Sequence, residues 1–313
     1  IDDSHCDIRT RLSGITDNDD FEFLELFNSS TTGTINLDGV QLSDGVTFSF
    51  DSTDLLPGER AVVVEDIDAF MARYGGVANS ATVLGQWSGS LSNNGEEITL
   101  LDSSMNEIMS VNYGDNDPWY FAADGLGFSL VLDDAVNTPV EELRKYYSWR
   151  SSTELGGTPG AASADPSGVV INEILSHTDL PQSDSIELFN STNASINVGG
   201  WYLSDEGNDL LKFQIPSGTV ITAGGYLVFD ESDFNSGSTA FALNGAEGDE
   251  VYLSQFSGEV GLEDSVEFGA TFNGESLGRL PNGAGRLTRL AANSLGSTNG
   301  SASDSAKVGP LVI

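Results

Sequence analysis

The feature that most constrains this chain is that its sequence is written twice. Glu25-Leu26-Phe27-Asn28, followed by Ser29-Ser30, returns as Glu187-Leu188-Phe189-Asn190 followed by Ser191-Thr192, at an offset of 162. Ile35-Asn36 matches Ile196-Asn197, Gly39 matches Gly200, and Leu42-Ser43-Asp44 matches Leu203-Ser204-Asp205, now at 161, so a turn has lost one residue. Pro57-Gly58-Glu59-Arg60 before Ala61-Val62-Val63-Val64 has its partner in Ala223-Gly224-Gly225-Tyr226 before Leu227-Val228-Phe229. The stretch from Asn94 to Leu100 corresponds to that from Glu247 to Leu253, and Ser110 to Gly114 corresponds to Ser265 to Gly269. A duplicated order of this extent calls for two copies of one fold, each with its own core. At 313 residues and 39% hydrophobic, the chain can supply both.

Within a copy the apolar period is two. Phe21 and Phe23 alternate with acids, and Val46, Phe48 and Phe50 alternate with Thr47 and Ser49, the pattern of half-buried strands. Such runs recur every 8 to 15 residues between clusters of Gly, Asn, Asp and Ser, which is the spacing of a sandwich. About seven to nine strands per copy are expected, and 36 glycines against 3 methionines rule out a helical bundle. Two helices are expected, both in the first copy. Ile67, Phe70, Met71 and Tyr74 form one apolar stripe that Gly75 ends. Pro139 to Tyr147, with Thr138 as cap and Glu141 in the first turn, form the other. The domains are placed at residues 1–160 and 168–300, separated by the breaker-rich stretch from Gly156 to Pro166. Residues 301–313 are read as a linker and the start of a further repeat, because Gly309-Pro310-Leu311-Val312-Ile313 echoes Gly168-Val169-Val170-Ile171, with a final strand of the second sandwich as the alternative.

The ordered set formed by Val169-Val170-Ile171-Asn172-Glu173-Ile174, Ser185-Ile186-Glu187-Leu188-Phe189-Asn190, Gly199-Gly200-Trp201-Tyr202-Leu203-Ser204-Asp205 and Gly224-Gly225-Tyr226-Leu227-Val228-Phe229 resembles the lamin-tail domain. The first copy resembles it too, in the stretches from Phe23 to Asn28, from Leu37 to Asp44, and from Trp149 through Gly160. Its Asp117-Pro118-Trp119 and Ala122-Ala123-Asp124-Gly125 are similar to segments of bacterial members in large secreted proteins. The resemblance implies an all-β fold of two immunoglobulin-like β-sandwiches in tandem. It also implies an accessory role beside enzymes or adhesion regions, with no catalytic residue in the module itself. The first copy departs from the pattern: it opens Cys6-Asp7-Ile8-Arg9, without the Asn172-Glu173 pair of the second.

Charge narrows the partners. Twelve Lys and Arg against 48 Asp and Glu leave a formal charge of −36, which repels nucleic acid and anionic membranes alike. No run of about 18 apolar residues exists, so no transmembrane segment is expected. The acid excess, with Arg above Lys, fits an extracellular or cell-surface, saline setting. Cys6 is alone and closes no internal disulfide.

Few residues are set up for catalysis. His5 and His177 are the two histidines, and neither sits in a Ser-His-Asp pattern. Cys6 has no oxyanion motif, and the many acids carry no glycosidase signature, so no enzyme is expected. Calcium, which takes about six to eight oxygens, is a better use of the acids. Candidate ligands are Asp17, Asp19 and Asp20 before the first strand, and Asp205, Asn208 and Asp209 in the second copy. Glu173 and Glu187 are expected to face each other on neighbouring strands and to need a cation, an Arg or a hydroxyl. Trp87 and Trp119, in turn-rich contexts, are read first as core or inter-loop packing and second as candidate contacts for sugar rings, whereas Trp201 takes the place of Val40 and is a core position. Asn28, Asn190, Asn193 and Asn299 head Asn-x-Ser/Thr sequons that are read as unglycosylated.

The expected function is a non-catalytic adhesion, interaction or spacer module of a larger secreted or cell-surface protein. Its partners would be other domains of the parent protein and a polysaccharide or surface protein. The alternative is a calcium-assisted carbohydrate-binding pair that targets an appended enzyme.

Overall fold

The computed structural model describes residues 18–75 and 81–302. The chain divides into two compact units, Ile1–Ala164 and Asp165–Ile313. In the first, the strands are β1 (Phe23–Phe27), β2 (Ile35–Asn36), β3 (Gln41–Ser43), β4 (Phe48–Ser49), β5 (Asp54–Leu55) and β6 (Arg60–Val64), then helix α1 (Ile67–Tyr74), then β7 (Thr82–Gln86), β8 (Glu96–Leu101), β9 (Glu107–Tyr113), β10 (Phe128–Leu132) and β11 (Trp149–Leu155). One sheet runs β1-β6-β7 and another β4-β3-β8-β9, while β10 and β11 pair with each other. Leu24, Leu26 and Val63 of the first sheet meet Leu42, Phe48, Ile98 and Leu100 of the second in a common core. That makes the unit a two-layer sandwich.

The second unit carries β12 (Val169–Leu175), β13 (Ser185–Asn190), β14 (Ile196–Asn197), β15 (Tyr202–Ser204), β16 (Phe213–Gln214), β17 (Val220–Ile221), β18 (Tyr226–Asp230), helix α2 (Glu231–Phe234), β19 (Gly248–Phe256), β20 (Val260–Gly269), β21 (Ser276–Arg279) and β22 (Leu287–Arg289). A five-stranded sheet in the order β18-β13-β12-β21-β22 packs over the antiparallel run β16-β15-β19-β20. Ile171, Ile174, Ile186 and Leu188 meet Leu203, Val251, Leu253 and Val266 between the layers.

The duplication read in the sequence is a duplication of pairing. β1 pairs with β6 as β13 pairs with β18, with Glu25 opposite Val62 and Glu187 opposite Val228. Leu42 opposite Leu100 repeats as Leu203 opposite Leu253. The small β2-β5 ladder repeats as β14-β17. Among the described residues each unit has eleven strand pieces against the expected seven to nine, because several are ladders of two residues.

Helix content differs from expectation at two places. The α1 helix forms as read, with the Asp66 carboxylate accepting from the Ala69 N–H at 2.8 Å as its cap, but of the expected stripe only Phe70 and Tyr74 are buried, while Ile67 and Met71 are exposed. Pro139 to Tyr147 is instead two 3-10 turns, Val140–Glu142 and Tyr146–Ser148. Leu143 is the buried apolar side chain between Pro139 and Tyr147, so no stripe draws a longer helix onto the core. The second unit has a four-residue helix of its own, α2, held by a reciprocal capping box between Asp230 and Asp233.

Candidate functional site

The densest buried polar cluster lies in the second unit, where β12 and β13 set Glu173 opposite Glu187. Both carboxylates are fully buried, as is Asn172. Glu173 accepts from the Ser294 N–H at 2.9 Å and from its hydroxyl at 2.7 Å. Glu187 accepts from the Asn172 side-chain amide at 2.7 Å and from the Gly296 N–H. Asn172 takes the Gly283 N–H on its oxygen at 2.9 Å, and the Asn299 amide donates to the Asn172 and Arg279 carbonyls. Burial pushes the Glu187 carboxyl up to about 7 against the pull of the Asn172 and Gly296 donors, with the Glu173 charge adding to the rise. The partners of the two carboxylates are thus a hydroxyl, an amide and backbone N–H groups, and no cation. Together they clamp residues 294–299 onto the sheet.

The same device recurs in the first unit. Glu25, the counterpart of Glu187, accepts from the Gly160 N–H at 2.6 Å and pairs with Arg60. The segment read as a linker is therefore bonded into the first unit, with Ala164 donating its N–H to Glu154 at 2.9 Å. The asparagine that ends the repeated motif also has one job in both copies. Asn28 donates to the Gly33 and Leu55 carbonyls, and Asn190 donates to those of Ala194 and Ile221. Both are fully buried with their amide protons engaged, which leaves these two sequons no nitrogen to glycosylate.

A second acidic group in the first unit surrounds Glu22. One of its oxygens is buried without a hydrogen-bond partner. Burial first, then the charges of Asp19, Glu65 and Glu96, push its carboxyl up to about 8. Glu65 is raised as well, mainly by burial, although the Trp87 indole N–H donates to it.

The sequence-derived candidates fall apart rather than together. Asp19 and Asp20 open the 3-10 turn Asp19–Phe21, while Asp17 lies outside the described residues, as do His5, Cys6 and the terminal run from Gly309 to Ile313. In the second copy, Lys212 already supplies the positive charge: its ammonium sits 2.7 Å from both Asp205 and Glu206. Asn208 and Asp209 are exposed on the same loop, with Asp209 accepting from the Leu211 N–H. Among the described residues, no group of three or more His, Cys, Asp or Glu is placed to hold a metal ion. Trp87 is 4% exposed and packs in the core of the first unit, so it offers no ring face to a sugar. Trp119 is half-buried, with its indole edge against Gly114, where an added Cβ would come within 2.9 Å. His177 is tied to the Thr271 carbonyl at 2.9 Å. Among the described residues, no helix is long and apolar enough to cross a membrane.

Reading the sequence identified Glu173 and Glu187 but not Ser294, Asn299 or Asn282, which complete the clamp. Their one signal was the match between Gly296-Ser297-Thr298-Asn299-Gly300 and the closing stretch of the first copy. A family model described as the lamin tail domain matches the chain twice, over residues 8–115 and 162–270. No curated protein and no solved structure matches.

Proposed function

The chain belongs to the lamin tail domain family, of which it carries two copies, and from that premise we propose that it is a non-catalytic adhesion or interaction pair within a larger secreted or cell-surface protein. The observation that supports this reading is the use made of the best-placed acids. A hydrolytic carboxylate pair must face a cleft and keep oxygens available to water and substrate. Glu173 and Glu187 are instead buried and bonded to Ser294, Asn172 and Gly296. Their chemistry holds a sandwich closed. The family's immunoglobulin-like modules fit that role, and an acidic surface of −36 suits a saline exterior.

A calcium-assisted carbohydrate-binding pair is the second reading, and the half-buried ring of Trp119 is the feature that favours it. A glycan array and a panel of insoluble polysaccharides, each probed with and without chelator, separate the two. Specific glycan binding that chelation abolishes supports the second reading, and binding to protein-coated surfaces alone supports the first. Turnover of chromogenic glycosides that Glu187→Gln abolishes without lowering the melting temperature would overturn both.

A further inference from the structure

The two copies treat the same strand edge differently. By the repeat, Arg60, Val62 and Val64 of β6 correspond to Tyr226, Val228 and Asp230 of β18. In each unit the alternate residues of this strand bond to its inner neighbour. Glu59 O and Glu65 N bond to Asn28 and Glu22, as Gly225 O and Glu231 N bond to Asn190 and Asp184. Parity then turns the backbone groups of Arg60, Val62 and Val64, and of Tyr226, Val228 and Asp230, outward.

In the first unit that outward edge is filled. The chain leaves β6, forms α1 and returns as β7, which lies parallel to β6 with Val62 opposite Val83 and Val64 opposite Gln86. Val62 and Val64 are fully buried beside Phe70, Tyr74 and Ala81. In the second unit the chain leaves β18 into the short α2 and goes on to β19 in the other layer. Among the described residues nothing pairs with the outer edge of β18, and Val228 is 36% exposed where Val62 is at 0%. The outward N–H of Asp230 is taken by Asp233, and its carbonyl faces the first turn of α2, which leaves the groups of Tyr226 and Val228.

We propose that this edge of β18 receives an extended segment of another polypeptide, aligned parallel to it as β7 is to β6 and carrying a basic residue opposite Asp230. The inference rests on reading the chain as an interaction module. Strand addition to an open edge gains main-chain hydrogen bonds, and the flanking side chains choose the partner. β7 shows what the fold accepts there: Thr82-Val83-Leu84-Gly85-Gln86, uncharged and in part β-branched. The difference between the copies shows what the guest must add. Where the first unit sets Gln86 against Val64, the second offers Asp230, with Glu231 and Asp233 following on α2. A second copy of this chain is a poor guest. Antiparallel self-pairing centred on Val228 would set Tyr226 against Asp230, supply no cation, and bring two strongly acidic units together.

The test uses the full chain and fluorescein-labelled peptides of residues 81–87 carrying Gln86→Lys or Thr82→Lys. Parallel addition places the first lysine opposite Asp230, and antiparallel addition would place the second there. The Gln86→Lys peptide is expected to bind saturably and more tightly than the Thr82→Lys peptide. Asp230→Asn, which keeps a capping side chain, should weaken the Gln86→Lys peptide several-fold and leave the unsubstituted peptide unchanged. Val228→Pro deletes an outward N–H and no ladder bond, and should cost roughly tenfold or more in affinity. Val228→Lys keeps that N–H but sets a cation beside the lysine of the guest, and should also weaken the Gln86→Lys peptide; thermal melts confirm that each variant is folded. No saturable binding, equal binding to folded Val228→Pro and Val228→Lys, or self-association that depends on Val228 would overturn the proposal. Adhesion to a surface that survives in Val228→Pro would sink the edge and leave the module reading standing, whereas hydrolytic turnover would sink that reading.

Discussion

The two buried carboxylates of the second unit, Glu173 and Glu187, are costly to keep unless every lone pair is met. Ser294 meets Glu173 through both its N–H and its hydroxyl. Ser294→Ala leaves one carboxylate oxygen without its donor in a site closed to water. It is therefore expected to lower the stability of the second unit by about 1–3 kcal/mol, read as a fall in one melting transition with the other unmoved. Glu187 and Glu22 make stability depend on pH. Each holds its proton more tightly folded than unfolded: about 7 for Glu187 and about 8 for Glu22, against a usual 4.5. Their contribution is whole below pH 4.5 and is lost as pH rises through those values. Melting temperature should therefore fall between pH 5 and pH 8.5 at constant ionic strength, and Glu22→Gln should flatten the profile of the first unit. A profile that is flat over that window would show that both groups ionise in the fold as they do in the unfolded chain. The facing of Glu173 and Glu187 was legible because strand pairing follows from the repeated motif. Ser294 and Asn282 were not, because they arrive from turns more than a hundred residues away that no periodicity marks. Of the two readings of Trp87, packing is the one the structure bears out: Gln86-Trp87-Ser88-Gly89 reads locally as a turn, but Ser88 bridges to Thr47 and carries the indole into the core beside Val46.

Among the elements, α1 was the most readable, since an apolar period and a terminal glycine agreed over eight residues, and the structure adds the Asp66 cap. Its face packs Phe70 and Tyr74 against Phe23 of β1 at ring distances of 5.9 and 5.8 Å. Tyr74 also donates to the Gly156 carbonyl at 2.7 Å, so the helix fastens the closing segment as well. Asp66→Ala should cost the first unit about 1 kcal/mol in chemical denaturation, the value of a lost N-cap, while Asp66→Asn should cost little. The parallel strand that follows was not legible, because alternation sets which residues face inward but not the direction of the neighbour. Once β7 is in place, one of its residues becomes explicable. Gly85 passes so close to Phe48 that an added Cβ would lie 2.6 Å from the ring. Gly85→Val should therefore destabilise the first unit by about 1–3 kcal/mol through overpacking, and partial recovery in the double variant with Phe48→Leu would identify that contact as the cause. The expected helix over 139–147 failed where α1 succeeded. Thr138, Pro139 and Glu141 give a good start signal, but capping contributes only about 1 kcal/mol and cannot sustain a helix that has no apolar face to bury.

At the scale of the whole molecule, charge acts against compactness. Residues 1–160 hold 28 acids and 7 bases, a formal −21, and the remainder holds the other −15 of the −36. Most of these charges are solvated, so their repulsion is spread over distances that salt can screen, with a Debye length of about 30 Å at 0.01 M and about 8 Å at 0.15 M. Ion pairs pull the other way: among the described residues, Arg279 with Asp264, Lys212 with Asp205 and Arg60 with Glu25 have both partners largely shielded. Salt should weaken those three far less than it weakens long-range repulsion, because partly buried pairs are poorly screened. Raising sodium chloride from about 0.01 M to about 0.5 M should then raise both melting transitions by roughly 3 °C or more, corresponding to about 1 kcal/mol in a unit of this size. Calcium chloride at matched ionic strength separates screening from site binding. With Lys212 already seated between Asp205 and Glu206, the second unit should respond to calcium no more than to sodium. A larger rise confined to that unit would mean that calcium displaces the lysine ammonium, and Lys212→Met should then enlarge the calcium response.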